Sequence, residues 1–450
     1  MRLSLKQWTA SGSPWVWMNA GAVTLSLIMV FGLLALIAVR GLSHFWPSDL
    51  LLAEYRGPDN RAVMILGEVV DTEAVPAEQL RDAGQRVPDT LEFADRSLLK
   101  VGNRDLSGAD FRWVLEINLS QRSYPENAIA IERREWGNFY GFLEAVLENG
   151  REVATGDRAW DELETRLVRA LSLYKRIHAI EKSDIGAINY GLERLRLRER
   201  RLELDDRLTP AALAEIQAER EALQKGYEGL QAELTALYAE INRDSVRMRS
   251  ADDRTQTIAI SKIVDVYRPN AMSTLDKSLF YLGKLWEFVA DDPREANTEG
   301  GIFPAIYGTV LMVLIMSVMV TPLGVVAAVY LREYAHQGVI TRIIRISVNN
   351  LAGVPSIVYG VFGLGFLVYF VGGSIDQAFF PEALPSPTFG TGGLLWASIT
   401  LAILTLPVVI VATEEGLARI PRTIREGSLA LGATKAETLW RVVLPMASPA

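Results

Sequence analysis

Long uncharged apolar runs limit what this chain can fold into more tightly than any motif does. Residues 20–39 hold no charged side chain over about twenty positions, enough for a helix to cross the hydrocarbon core of a bilayer. Three further runs occupy residues 302–331, 346–371 and 394–413. Lipid offers no partner to a bare backbone, so runs of this kind fold as helices that bond internally. The expectation is a mainly α, polytopic helical membrane protein. Trp15 and Trp17 before the first run, and residues 44–46 after it, supply interfacial aromatics. The first run is too long for a cleaved signal, so residues 1–40 read as a tail and a retained first span.

Composition separates two halves. The 450 residues are 49% hydrophobic with a net charge of −8, yet residues 41–300 are charged and residues 301–450 largely apolar. The acidity belongs to the polar half and leaves no footprint for nucleic acid. With no cysteine and three histidines, thiolate metal sites are excluded, and carboxylates do not cluster inside the apolar runs. No G-x-x-x-x-G-K-[ST] loop is present to cradle nucleotide phosphates. Catalytic residues, metal and cofactor are therefore expected to be none, and energy must come from another subunit.

Residues 41–300 read as an inserted α+β domain. Its β part is placed at residues 54–155 and 256–268, with strand candidates at 62–66, 113–117, 128–131 and 257–267. Residues 157–250 read as a helical hairpin, coiled-coil-like in its second arm. There Leu213, Ile216, Arg220, Leu223, Tyr227, Leu230, Leu234, Leu237 and Ile241 alternate steps of three and four, a heptad seam broken by Arg220. Thr209 and Pro210 supply an N-cap and a first-turn proline. A spacer and a docking surface are both open readings of the hairpin, and its deletion is expected to leave the membrane core inserted. Residues 273–290 open with Ser273 and Asp276 in capping-box spacing and place Leu275, Leu279, Leu282, Leu285 and Trp286 on one face. That pattern predicts an interfacial helix on membrane lipids before a turn over residues 297–304.

Loop charges give the topology. Arg2 and Lys6 precede the first run; Arg332, Arg342 and Arg345 lie between the second and third; Arg419, Arg422, Arg425, Lys435 and Arg441 follow the fourth. Residues 372–393 carry no Lys or Arg, only Asp376 and Glu382. The positive-inside rule then puts the N-terminus and residues 414–445 in the cytoplasm, and residues 41–300 outside.

The polar insert after the fourth run carries the most specific pattern. Glu426-Gly427-Ser428 is followed, after three intervening residues, by Gly432 and, after nine more, by Val442-Val443-Leu444-Pro445. A Gly there allows a left-handed turn between two short helices, and Pro445 suits the first turn of the next. This pattern resembles the EAA loop of ABC-importer permeases. It departs at Gly427, Ser428 and Val442, where the family prefers Ala, Ala and Ile. The residues leading in, and the runs GGIFPAIYGT and LAGVPSIVYG, are similar to the phosphate-type permeases PstA and PstC. The resemblance implies the permease core of a type I importer in a bacterial inner membrane. It also implies a PstC-like partner, a PstB-like ATPase dimer gripping the loop, and a PstS-like phosphate-binding protein outside. Glu426, expected near a helix start, would meet the ATPase, Gly432 would set the bend, and Leu439, Val442 and Leu444 would pack against the spans. It further implies at least one span beyond Ala450. It does not cover residues 41–300.

A translocation path is expected around Asn350, Gly353, Pro355 and Ser356. Pro355 frees a carbonyl within a span, Gly353 permits close approach, and Ser356 adds a hydroxyl. The plainer reading is a satisfied proline kink. Thr309 is a weaker candidate. Two other functions remain open: a permease for another oxyanion (molybdate, sulfate or phosphonate), and a membrane-anchored sensor with an outer helical domain.

Overall fold

The computed structural model describes residues 11–57, 60–295 and 299–448, so Arg2, Lys6, Asn297 and Ala450 lie outside the described residues. The chain divides into two units, Met1–Glu181 with Gln231–Phe303, and Lys182–Leu230 with Pro304–Ala450.

The first unit begins with helix α1 (Ser13–Ser43), none of whose residues is buried. Two antiparallel sheets follow. Strands β1 (Leu50–Arg56), β2 (Ala62–Pro76), β3 (Phe93–Lys100), β4 (Phe111–Leu115) and β5 (Leu119–Ser123) pair in the order β4-β3-β2-β1-β5. Strands β6 (Ile129–Arg133), β7 (Phe139–Glu148) and β8 (Arg151–Thr155) begin the second sheet. Helix α2 (Asp157–Ala179) lies over it, burying Leu163, Leu167 and Ile177 against Ile129, Phe139, Val246 and Met248. Tyr140 joins the two sheets: its ring is fully buried among Leu50, Leu66 and Ala130, and its hydroxyl donates to Glu68 at 2.7 Å. Burial, then the Glu68 carboxylate, holds that phenol well above its ordinary pKa.

The helical excursion continues through α3 (Ile185–Leu204) and α4 (Pro210–Ile241). Between α2 and α3 the helix widens into a π turn at Ile180–Asp184, where the chain passes from one unit to the other. The Thr209 hydroxyl caps α4 by accepting from the Ala212 N–H at 3.2 Å. The seam is apolar apart from Arg220, which pairs with Glu199 on the facing helix at 2.6 Å. Gly191 allows Leu223 close approach, since a β-carbon there would lie 3.0 Å from its methyl. Residues 244–249, placed in the hairpin from sequence, instead form strand β9 (Asp244–Arg249) in the second sheet, because their alternating burial fits a pleat. Strands β10 (Thr255–Ala259) and β11 (Ile263–Tyr267) complete that sheet, with Tyr267 opposite Ala130. Helix α5 (Thr274–Ala290) closes the unit, with the Ser273–Asp276 capping box formed in both directions.

The second unit holds the other apolar helices. These are α6 (Phe303–Tyr334), α8 (Ser356–Phe379) and α9 (Leu394–Arg419), with α7 (Val339–Leu351) between the first two. With α1, four helices among the described residues are long and apolar enough to cross a membrane. The third span thus starts at Ser356, not at Ile346 as the apolar run suggested. Residues 346–351 belong to the strongly amphipathic α7, whose apolar face merged in composition with the span beyond it. The loop after α8 is pinned by hydrogen bonds: the buried Asp376 carboxylate accepts from the Phe389 N–H at 2.9 Å and the Gly390 N–H at 2.6 Å.

Candidate functional site

Helix α9 ends at Arg419, and α10 (Arg422–Ala430) starts after Pro421. At its far end the Gly432 N–H donates to the Leu429 carbonyl at 3.0 Å and the Ala433 N–H to Ser428 at 3.2 Å. Those two bonds form a Schellman turn, which requires a left-handed residue; Gly432 supplies φ +90°. Nothing lies within 4 Å of a β-carbon built there, so the demand on Gly432 is conformational, not steric. The chain then restarts at Thr434, which caps α11 (Lys435–Thr438) in a capping box with Glu437. The Thr434 backbone N–H and hydroxyl hold the Glu437 carboxyl below its ordinary range. A π turn at Leu439–Val443 leads on to Pro445, in the first turn of a further short helix.

Two sets of contacts fix this angle piece. Ser428 and Thr438 hydroxyls meet at 2.9 Å, tying α10 to α11. Leu439 and Val443 are buried against Leu417 and Ile420 at the foot of α9, with Leu444 half-buried beside them. Val442 was expected in this role, but the π turn rotates Val443 inward in its place. The polar fastening runs to the last turn of α6. Glu333 pairs with Arg425 at 3.0 Å, and its carbonyl accepts from Lys435, whose ammonium lies 4.4 Å above the Tyr334 ring. Arg425 also donates to the Leu417 carbonyl at 2.7 Å. Glu333 is thus the centre of this fastening. Its partners are remote in the chain, and only Arg and Glu at two helix ends hinted at them.

Glu426 stands in the middle of α10, not near its start, because α10 begins at Arg422. It is exposed and has no partner among the described residues, and Gly427 beside it faces open space. Around it Leu429, Leu431 and Trp440 are exposed, Leu431 by 90%. The loop therefore presents the exposed Glu426 carboxylate together with exposed apolar side chains on a braced frame. Among the described residues no group of three His, Cys, Asp or Glu is placed to hold a metal.

The residues expected along a path fall otherwise. Asn350 lies in the last turn of α7, Gly353 and Pro355 form the break, and Ser356 is the first residue of α8; all four are exposed. Pro355 therefore starts a helix and does not kink one. The Leu351 carbonyl, which a continuous helix would bond to the missing N–H of Pro355, accepts instead from the Tyr359 hydroxyl at 2.8 Å and the Val354 N–H at 3.1 Å. Thr309 is exposed on α6. A cavity of about 320 Å³, unmarked by any sequence motif, lies where α6, α7 and α9 meet. Arg345, Asn349 and Glu414 line it, and Arg345 reaches Glu414 at 3.3 Å.

The apolar helices, joined by a braced polar corner, have the length and composition of a multi-pass membrane protein. Residues 320–450 match the family described as binding-protein-dependent transport system inner membrane component. The phosphate transport permease PstA 1 of Mycobacterium tuberculosis is 38% identical over 150 residues, 33% of this chain and 43% of its own length. YqgH of Bacillus subtilis, a probable ABC transporter permease, is 31% identical over 159 residues, covering 35% of this chain and 47% of YqgH. The phosphate permease PstC of Mesorhizobium japonicum is 32% identical over 170 residues, 36% and 51% of the two chains. The membrane part of the chain is thus PstA-like, and it spans about half the length of the curated relatives it matches.

Proposed function

We propose that this chain is a permease subunit of a phosphate ABC importer, forming half of a translocation path. The observation that carries the reading is the Glu426–Pro445 corner: two short helices set by a Schellman turn and fastened to the span ends, with Glu426 exposed and without a partner among the described residues. Such a corner transmits force and does no chemistry. An ATPase dimer of the PstB kind would grip α10 from the cytoplasm, and its closure would swing the spans between two access states. A PstC-like subunit would supply the other half of the path, and a PstS-like protein would deliver phosphate outside. Arg332, Arg342, Arg345, Arg419 and Arg441 support an inner-membrane orientation with this corner inside and residues 41–300 outside.

The test is labelled-phosphate uptake under starvation, in cells with and without the gene. Loss of high-affinity uptake, restored by the gene, is the expected result. The relative YqgH, whose name specifies no substrate, keeps a second oxyanion in view. Unchanged phosphate uptake, with paralogues deleted, would move the reading to molybdate, sulfate or phosphonate.

A further inference from the structure

Helix α5 is packed the opposite way to an ordinary surface helix. Its charges face the domain: the Lys277 ammonium is 2.5 Å from Asp49, and Lys284 reaches Glu132 at 2.8 Å and Asp265 at 2.7 Å. Phe280 packs against Tyr267 on the same side, with ring centres 4.6 Å apart and the planes tilted. Its apolar residues face out. Leu275, Leu279, Leu282, Trp286 and Val289 fall at steps of four, three, four and three, and are exposed by 70, 60, 60, 72 and 47%. One helix thus carries an uncharged stripe along its length. Left in water, such a stripe is strongly unfavourable.

The fold states what covers it. Just past the end of α1, Phe45 packs on Phe288 with centroids 4.9 Å apart, and Trp46 on Tyr281 at 5.9 Å. At the start of α6 the Ile302 N–H donates to the Phe288 carbonyl at 2.8 Å and the Phe303 N–H to Asp291 at 3.2 Å. Helix α5 is therefore tied to the residues that follow α1 and to Ile302 and Phe303, which lead into the next apolar run. We infer that the Leu275–Val289 stripe is sunk into the lipid interface, with the Lys277 and Lys284 face bearing the β domain. The helix would then act as a footing that holds the domain at a fixed height, independent of which substrate is carried.

Because the chain has no cysteine, single-cysteine variants need no background mutation. Spin labels at Leu275→Cys, Leu279→Cys, Leu282→Cys and Trp286→Cys would be compared with Asp89→Cys, whose native side chain is fully exposed in the domain. The full chain is reconstituted in vesicles of phosphatidylethanolamine and phosphatidylglycerol, and collision rates with oxygen and with a nickel chelate are recorded. The expected result is a severalfold higher oxygen-to-nickel ratio at the four stripe positions than at residue 89. Nickel access equal to that at residue 89 would show water over the stripe, and immobile labels shielded from both reagents would show a protein there. Either overturns the inference.

Discussion

At the residue scale two carboxylates invite opposite tests. Glu426 is exposed and unpaired among the described residues, so Glu426→Arg should change stability by less than about 0.5 kcal/mol. If the corner is gripped there, reversing its charge leaves ATP hydrolysis running while uptake falls; wild-type uptake in reconstituted vesicles would sink the docking role. Glu132 is the reverse case, half enclosed between Lys284 and Arg294. Burial works to raise its pKa, but the two cations outweigh it and the net shift is downward. A lowered folded pKa contributes stability that is present above the ordinary value of 4.5 and lost as the pH falls below it. Lys284 is raised above its ordinary 10.5 by Glu132 and Asp265 against the effect of burial, so its share is lost only in strong alkali. Glu132→Gln should therefore lower the domain's melting temperature near neutral pH, by about 3 kcal/mol of stability, and flatten its decline below pH 4.5. Thermal melts of the two proteins across that range check the sign, and parallel curves would contradict it.

At the element scale the hairpin tip makes a contact that no periodicity foretells. Arg201 on α3 pairs with Glu382, whose side chain is only 6% exposed, in the turn between α8 and α9. Arg201 itself is 58% exposed, so water can partly replace it. Arg201→Ala should cost roughly 1–2 kcal/mol, less than the figure for a fully buried pair. Glu382→Leu in the same chain should recover that loss by removing the stranded charge. Protease protection of the segment around Glu382 would report both changes, and full protection in the single variant would refute the linkage. Elements of this chain were legible where one physical demand dominated. Runs without charge gave the spans, the heptad gave α4, and the Glu426–Pro445 spacing gave a bend that Gly432 makes with φ +90°. Strand β7 stayed hidden because residues on both of its faces are buried and no alternation marks it. The start of α8 was misplaced because the apolar face of α7 runs into it. The Glu333–Arg425 brace and the inward turn of Val443 depend on a π turn and on distant partners, and local pattern contains neither.

At the scale of the whole molecule, the chain passes between its two units three times, and the hairpin is where two of those crossings can be cut. Removing residues 157–250, the excision that the sequence suggested, would take away β9, which pairs with both β7 and β10 inside the second sheet. It would also strip α2 from the core it covers. That variant should lose the β domain. The sparing cut lies between Glu181 and Gln231, where the chain changes unit on both arms. The Glu181 carboxylate accepts from the Tyr238 hydroxyl at 2.6 Å, which shows that the two arms run side by side at that level, so a short Gly-Ser linker can replace residues 182–230. The expected product keeps both sheets and inserts its spans, but leaves Glu382 buried without Arg201, so it should need Glu382→Leu to protect that turn. Membrane fractionation, with a melt of the β domain and proteolysis near residue 382, separates the three effects. Loss of insertion or of the domain melt in the linker variant would mean that the distal hairpin is part of the folding core and not an appended arm.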